Sequence, residues 1–257
     1  MKRPAALAFA AAMAVVLVAG CGSGSQPATA GEGATNLVVF AAASLKQSFT
    51  DIGERFEADN PGTSVEFSFA GSSDLVTQLQ QGAKADVFAS ADAGNMDKAA
   101  QANLLSGDPV NFASNTLTIA VAPGNPEGIT GFTDLTREGL DVVVCAPQVP
   151  CGSATEKIEK ATAVTLNPVS EESSVTDVLN KVTSGEADAG LVYVTDAKGA
   201  GDSVDAVAFP ETTDAVNTYP IASLKDAADP ELASRFVGYV TGERGQQVLD
   251  AAGFAKP

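Results

Sequence analysis

Histidine and tryptophan are absent from these 257 residues, and Lys plus Arg number 15 against 32 Asp plus Glu. Without histidine there is no Ser-His-Asp or Cys-His nucleophile, no imidazole metal site and no imidazole switch near neutral pH. A formal charge of −17 argues against a nucleic-acid partner, because duplex binding depends on Lys and Arg neutralising phosphates. Charged residues make up only 18% of the chain, however, and apolar residues 45%, so the composition is that of a globular protein with a buried core. At about 150 residues per domain, the length allows one or two domains.

Basic side chains open the sequence. Lys2 and Arg3 precede the small and apolar run Ala5 to Gly20, which ends at Cys21 with no charge beyond it. That is the layout of a signal peptide over residues 1–20, since a membrane span would need about 20 apolar residues. Val18-Ala19-Gly20-Cys21 resembles the lipobox of bacterial lipoproteins, in which the cysteine is diacylated and becomes the new N-terminus. Two acyl chains on Cys21 would suffice for stable attachment to the outer face of the cell membrane. Cleavage would take the charge from −17 to −19. The small, polar stretch up to residue 35 reads as a flexible tether with a reach of roughly 20 Å.

From Leu37 onward short apolar runs alternate with amphipathic segments. Leu37 to Ala43, Val65 to Ala70, Asp86 to Ala89, Leu117 to Ala122, Asp141 to Cys145 and Gly190 to Tyr193 read as buried strands. Helical spacing links Leu45, Phe49, Ile52 and Phe56, then Leu75 and Leu79, then Val175, Val178, Leu179 and Val182, then Leu232, Phe236, Tyr239 and Val240. The alternation predicts an α/β fold with mainly parallel sheets. Asp229 and Pro230 mark the start of the last of these helices.

Serine recurs where strand passes into helix. Ser44 with Gln47, Ser153 with Glu156, and Ser174 with Asp177 have capping-box spacing, and Gly71-Ser72-Ser73 opens another helix directly after a strand. Each serine is explained by capping alone. Together they place unpaired amides and helix N-termini at the carboxyl edge of a sheet, where open α/β folds bind ligands. Hydroxyls and amides without a basic cluster suit a fully ionised oxyanion, whose oxygens only accept hydrogen bonds. Asp86, Asp92 and Asp196 read as turn and cap residues, because they lack the close spacing of a calcium loop.

The segments Val39-Phe40-Ala41-Ala42-Ala43-Ser44-Leu45, Phe69-Ala70-Gly71-Ser72-Ser73, Ala85 to Asp92 and Gly190 to Ala197 resemble the periplasmic molybdate-binding proteins of ABC importers, in that family's order. The resemblance spans Asn36 to Pro257. It implies a two-lobed type II periplasmic-binding-protein fold that closes over molybdate, and usually tungstate, for delivery to a permease and its ATPase. No catalysis, no cofactor and a monomer are implied. Residues 36–115 with 219–257 would form lobe one, and residues 116–218 lobe two.

The oxyanion ligands implied by the resemblance are Ser44 through hydroxyl and amide, Ser72 as the second serine, Cys151 and Val175 through backbone amides, and the Tyr193 hydroxyl. Ser73 adjoins Ser72 and is an alternative to it. Sulfate or another tetrahedral oxyanion is the competing ligand, and an enzyme on a related two-lobed fold the competing class. Cys145 and Cys151 lie six apart in an exported domain. They are read either as a disulfide flanking the ligand turn or as one buried thiol beside an unrelated one.

Overall fold

Alternation along the first apolar run sets the architecture. Leu37, Val39 and Ala41 are buried in one cluster and Phe40 in another, so a single strand supplies both faces of a sheet. The computed structural model describes residues 35–257. The leader, Cys21 and the tether up to residue 34 lie outside the described residues.

In chain order the strands are β1 (Thr35–Ala42), β2 (Thr63–Ala70), β3 (Val87–Ala89), β4 (Val110–Asn115), β5 (Leu117–Val121), β6 (Val142–Cys145), β7 (Ser170–Glu172), β8 (Ala189–Tyr193), β9 (Asp205–Val207) and β10 (Asn217–Ser223). The helices are α1 (Lys46–Asp59), α2 (Ser72–Gln80), α3 (Ala93–Gln101), α4 (Pro150–Thr162), α5 (Val175–Thr183), α6 (Val194–Ala200), α7 (Pro230–Thr241) and α8 (Glu243–Ala252). Among the described residues no helix is long and apolar enough to cross a membrane.

The strands form two five-stranded sheets, ordered β2-β1-β3-β10-β4 and β7-β6-β8-β5-β9, each flanked by helices as one lobe. Both sheets are mixed where the sequence suggested mainly parallel ones. β1 runs parallel to β2 and β3, whereas β10 opposes β3 and β4. The second sheet repeats the pattern, with β6 parallel to β7 and β8 and β5 opposing β8 and β9. The cause is the chain's path. It leaves the first sheet after Asn115 and returns through β10, which inserts between β3 and β4 and runs against both.

Two expected boundaries shift. β1 begins at Thr35, inside the expected tether, because Thr35 pairs with Thr63 and its amide donates to the Gly62 carbonyl at 2.8 Å. The returning strand begins at Asn217 rather than Tyr219, since Asn217 already pairs with Asn115.

Phe49, Phe56, Phe112 and Phe236 pack beneath the first sheet with neighbouring centroids 5.2–6.3 Å apart. Each fully buried ring contributes roughly 1.5–3 kcal/mol of transfer free energy. Asp86, on the way into β3, accepts the Val38 amide at 2.7 Å and the Ala228 amide at 2.6 Å, fastening β1 and the segment before α7 to the sheet. In the second lobe, Gly190 lets α5 lie directly on β8. A methyl carbon built at Gly190 would stand 2.7 Å from a Val178 methyl. That close packing fixes the N-terminus of α5 over the end of β8.

Candidate functional site

Every expected ligand residue lies where a strand ends. Ser44 follows β1, Ser72 follows β2, Cys151 opens α4 after β6, Val175 opens α5 after β7, and Tyr193 is the last residue of β8. Two lobes thus present their carboxyl edges to the seam between them.

Ser44 is not a helix cap. A 3-10 turn over Ala43–Leu45 separates β1 from α1, whose N-cap residue, Leu45, makes no side-chain bond. Released from capping, the Ser44 hydroxyl lies 3.0 Å from the Tyr219 hydroxyl of β10. Ser72 is the first residue of α2, and its Oγ accepts the Ala91 amide at 3.0 Å. With that lone pair engaged, its own proton is free for a ligand. The neighbouring Ser73 Oγ is buried and finds no partner among the described residues.

Lobe two supplies amides. Pro150 occupies the first turn of α4 and has no N–H, so the Cys151 amide is the first donor of that helix, and it has no intrahelical acceptor. Ser153 therefore sits inside the first turn, not at the cap, because the N-cap is Val149, four residues earlier than the serine suggested. Cys145 and Cys151 are joined as a disulfide that closes the turn carrying this amide. Ser174 does cap its helix, accepting the Asp177 amide at 3.2 Å, which leaves the amide of Val175 unpaired at the first helical position. Asp92 likewise caps α3 by accepting the Asn95 amide at 2.8 Å.

Tyr193 ends β8 fully buried, its hydroxyl 2.8 Å from Asn217 Nδ2. Burial, followed by the nearby Tyr219, Asp92 and Asp196, holds its pKa well above the ordinary tyrosine value, so it keeps its proton throughout the physiological range. Burial also raises Tyr219. Asp196, one turn on, accepts the Tyr193 amide at 3.1 Å, and burial pushes its carboxyl up to about 7 against the opposing pull of that bond.

The lobes are in contact. The Gly71 Cα lies against Ser173 of the facing lobe, where an added methyl carbon would stand 2.1 Å from the Ser173 carbonyl oxygen. Asn95 Nδ2 donates to the Gln148 carbonyl at 3.4 Å, and Asn115 Nδ2 to Thr195 Oγ1 at 2.8 Å. The Tyr193 and Tyr219 rings meet edge to face with centroids 5.9 Å apart. A chain of contacts runs from Ser44 through Tyr219, Tyr193, Asn217 and Ala91 to Ser72, with the carbonyl of Pro150, beside Cys151, also against Asn217 at 3.3 Å. At the rim, a cavity of about 230 Å³ is lined from both lobes, by Lys46 and Gly71 on one side and Ser174 on the other. Such an arrangement offers hydroxyl and amide donors to an anion from both sides.

Sequence reasoning missed Tyr219, Asn217 and Asn115. The only sequence signal for Tyr219 is that a buried tyrosine requires a partner for its hydroxyl. The asparagines carry no local pattern.

Because the Cys145–Cys151 bridge encloses so short a loop, removing it with Cys145→Ser and Cys151→Ser is expected to cost about 2 kcal/mol on the chain-entropy account. Urea melts of both forms measure this. A stability loss below about 0.5 kcal/mol would show that packing alone holds the turn.

The sequence model for bacterial extracellular solute-binding proteins matches residues 37–255. The molybdate-binding protein ModA of Mycobacterium tuberculosis is 59% identical over 249 residues, covering 96% of this chain and 95% of the relative. That of Escherichia coli is 31% identical, with 85% of this chain and 88% of the relative covered. Among solved structures, the periplasmic molybdate-binding protein of Azotobacter vinelandii superposes with a TM-score of 0.75 at 21% identity, covering 86% of this chain and 99% of that one. The sulfate-binding protein SubI of M. tuberculosis gives 0.76 at 19%, covering 86% and 87%. At these identities the two superpositions speak for the fold alone. With the matched span running from the first apolar strand to the C-terminal segment, the chain belongs to the bacterial extracellular solute-binding protein family.

Proposed function

We propose that this protein captures molybdate, and tungstate with it, in the seam between its lobes and delivers the anion to an ABC permease driven by its ATPase. The observation that carries the reading is the 59% identity, over nearly the whole chain, to mycobacterial proteins named for molybdate binding. The seam fits that ligand chemically. Ser44, Ser72 and Tyr193 supply hydroxyl protons, and Cys151 and Val175 supply helix-terminal amides. A dianion without a proton needs only donors. Sulfate shares this chemistry and is the second reading, favoured by the fold shared with SubI. A monoprotonated phosphate would bring a proton that needs an acceptor, and these groups include no carboxylate or carbonyl to take it, only hydroxyls whose own protons are wanted by the anion.

The protein is a monomeric carrier and performs no catalysis. Its expected ligand set holds no general acid, base or activated nucleophile. Diacylation at Cys21, which lies outside the described residues, tethers the folded part to the outer face of the membrane. From there it meets the permease.

A thermal-shift screen against molybdate, tungstate, sulfate and phosphate tests the reading. A ligand present at 1,000 times its Kd stabilises by about 4 kcal/mol. Molybdate and tungstate are expected to raise the Tm by several degrees, sulfate less and phosphate not at all. No shift with any of the four would overturn the carrier reading.

A further inference from the structure

We infer that Asn217 is a positioning residue of the oxyanion site: it fixes the Tyr193 hydroxyl as a donor toward the ligand and does so only while the lobes are closed. The inference rests on the oxyanion reading above and goes beyond its ligand set.

Asn217 is the first residue of β10, buried to within 4% of its surface, at one of the two chain crossings between lobes. Its side-chain nitrogen stands 2.9 Å from the Ala91 carbonyl of lobe one and 3.3 Å from the Pro150 carbonyl of lobe two. Both are acceptors only, so the group facing them is the NH2 and not the amide oxygen. The same nitrogen lies 2.8 Å from the Tyr193 oxygen. An amide nitrogen has no lone pair to offer. The tyrosine must therefore accept this bond, and its single proton is directed elsewhere. Burial keeps that proton in place. Tyr193 is thus an obligate donor, its proton left for the adjacent Tyr219 hydroxyl or for a ligand in the seam.

Ala91 joins this setting to the other lobe. Its carbonyl holds Asn217, while its amide donates to Ser72 Oγ at 3.0 Å and frees the serine proton in the same way. Two ligand hydroxyls, one from each lobe, are set as donors through one residue. Opening the seam parts Asn217 from Pro150 and Tyr193, which belong to lobe two, and leaves the tyrosine hydroxyl free to turn. Donor orientation and closure are one event.

A double-mutant cycle reads this role. Calorimetry with molybdate is run on the wild type, Asn217→Ala, Tyr193→Phe and the double variant, with the ligand-free Tm of each recorded. Asn217→Ala is expected to weaken binding about tenfold, the worth of one well-formed hydrogen bond. In the Tyr193→Phe background the same substitution is expected to weaken binding less than about twofold, because no hydroxyl remains to be oriented. Asn217→Ser, which keeps a shorter donor, covers the case in which the alanine variant does not fold, and it is read by the same cycle. Equal losses in the two backgrounds, or no loss at all, would overturn the role of Asn217 while leaving the oxyanion reading intact. A wild-type protein that does not bind molybdate would overturn the reading on which the inference rests.

Discussion

Gly71→Ala is expected to leave the ligand-free protein folded and to weaken molybdate binding by at least about 100-fold. Gly71 has φ −58° and ψ 138°, a conformation open to alanine, so the backbone itself is not strained by the change. The obstacle is across the seam. The new methyl carbon would lie 2.1 Å from the Ser173 carbonyl oxygen and 3.6 Å from a Val149 methyl. Relieving the first contact takes a separation of about 1 Å, and hydrogen bonds weaken steeply beyond about 3.2 Å. Ser44 and Ser72 would stay in reach of the anion, whereas the Cys151 and Val175 amides and the Tyr193 hydroxyl would withdraw with lobe two. Bonds to a charged group are worth roughly 1.5–3 kcal/mol each, so weakening three of them by about 1 kcal/mol apiece already gives the factor of 100. Calorimetry supplies the affinity and circular dichroism the fold. Binding within threefold of wild type would show that the seam closes by some other path.

Tyr193→Phe and Ser44→Ala should each weaken binding roughly 10- to 100-fold, the worth of one bond to a charged acceptor. Their effects on stability separate them. Phenylalanine at 193 preserves the buried ring, and Asn217 keeps its two carbonyl acceptors. Alanine at 44 removes one of the Tyr219 hydroxyl's partners, with Asn115 and Tyr193 still beside it, so the loss is that of one hydrogen bond, about 1 kcal/mol. Ligand-free melting should therefore drop for Ser44→Ala and hardly move for Tyr193→Phe. Unchanged affinity in both would place the anion elsewhere.

Local signals in the sequence carried much of the fold. β1, β2, β5, β6 and β8 are short, β-branched or apolar runs, mostly buried on both faces except the half-buried edge strand β2, and they stand within two residues of their expected bounds. Ser174, Asp92 and Asp229 act as caps because capping is decided within one helical turn. The strands that escaped, β4, β7 and β9, are short or carry polar residues such as Ser114, Asn115 and Glu171, and they exist because a neighbouring strand pairs with them. Ser44 and Ser153 misled for the opposite reason. Their spacing satisfies the capping pattern, but a 3-10 turn in one case and Pro150 in the other move the helix start.

The site divides in the same way. Ser44, Ser72, Cys151, Val175 and Tyr193 stand at ends of strands and starts of helices, so their positions follow from chain order once the strands are recognised. What orients their hydroxyls does not. Tyr219 reaches Ser44, and Asn217 reaches Tyr193, only because β10 enters the first sheet opposite β4 with Asn217 paired to Asn115. That register is a property of the folded sheet, and no spacing within either strand announces it.

The absence of histidine and the scarcity of Lys and Arg acquire a structural meaning here. An excess of 17 negative charges over the chain would repel a dianion at long range, but with a screening length near 8 Å at physiological salt, distant surface carboxylates act weakly on a buried ion. On the proposed reading, recognition falls to neutral dipoles at the seam, which would cost little to reorganise when the ion arrives.

The central claim is that molybdate is held between the lobes by neutral donors alone, and diffraction from molybdate-bound crystals at the molybdenum absorption edge tests it most directly. The account predicts one anomalous peak in the seam, within hydrogen-bond reach of the Ser44, Ser72 and Tyr193 hydroxyls and the Cys151 and Val175 amides, with no Lys or Arg side chain on the anion. A peak on Lys46 at the rim, or anywhere outside the seam, would contradict it.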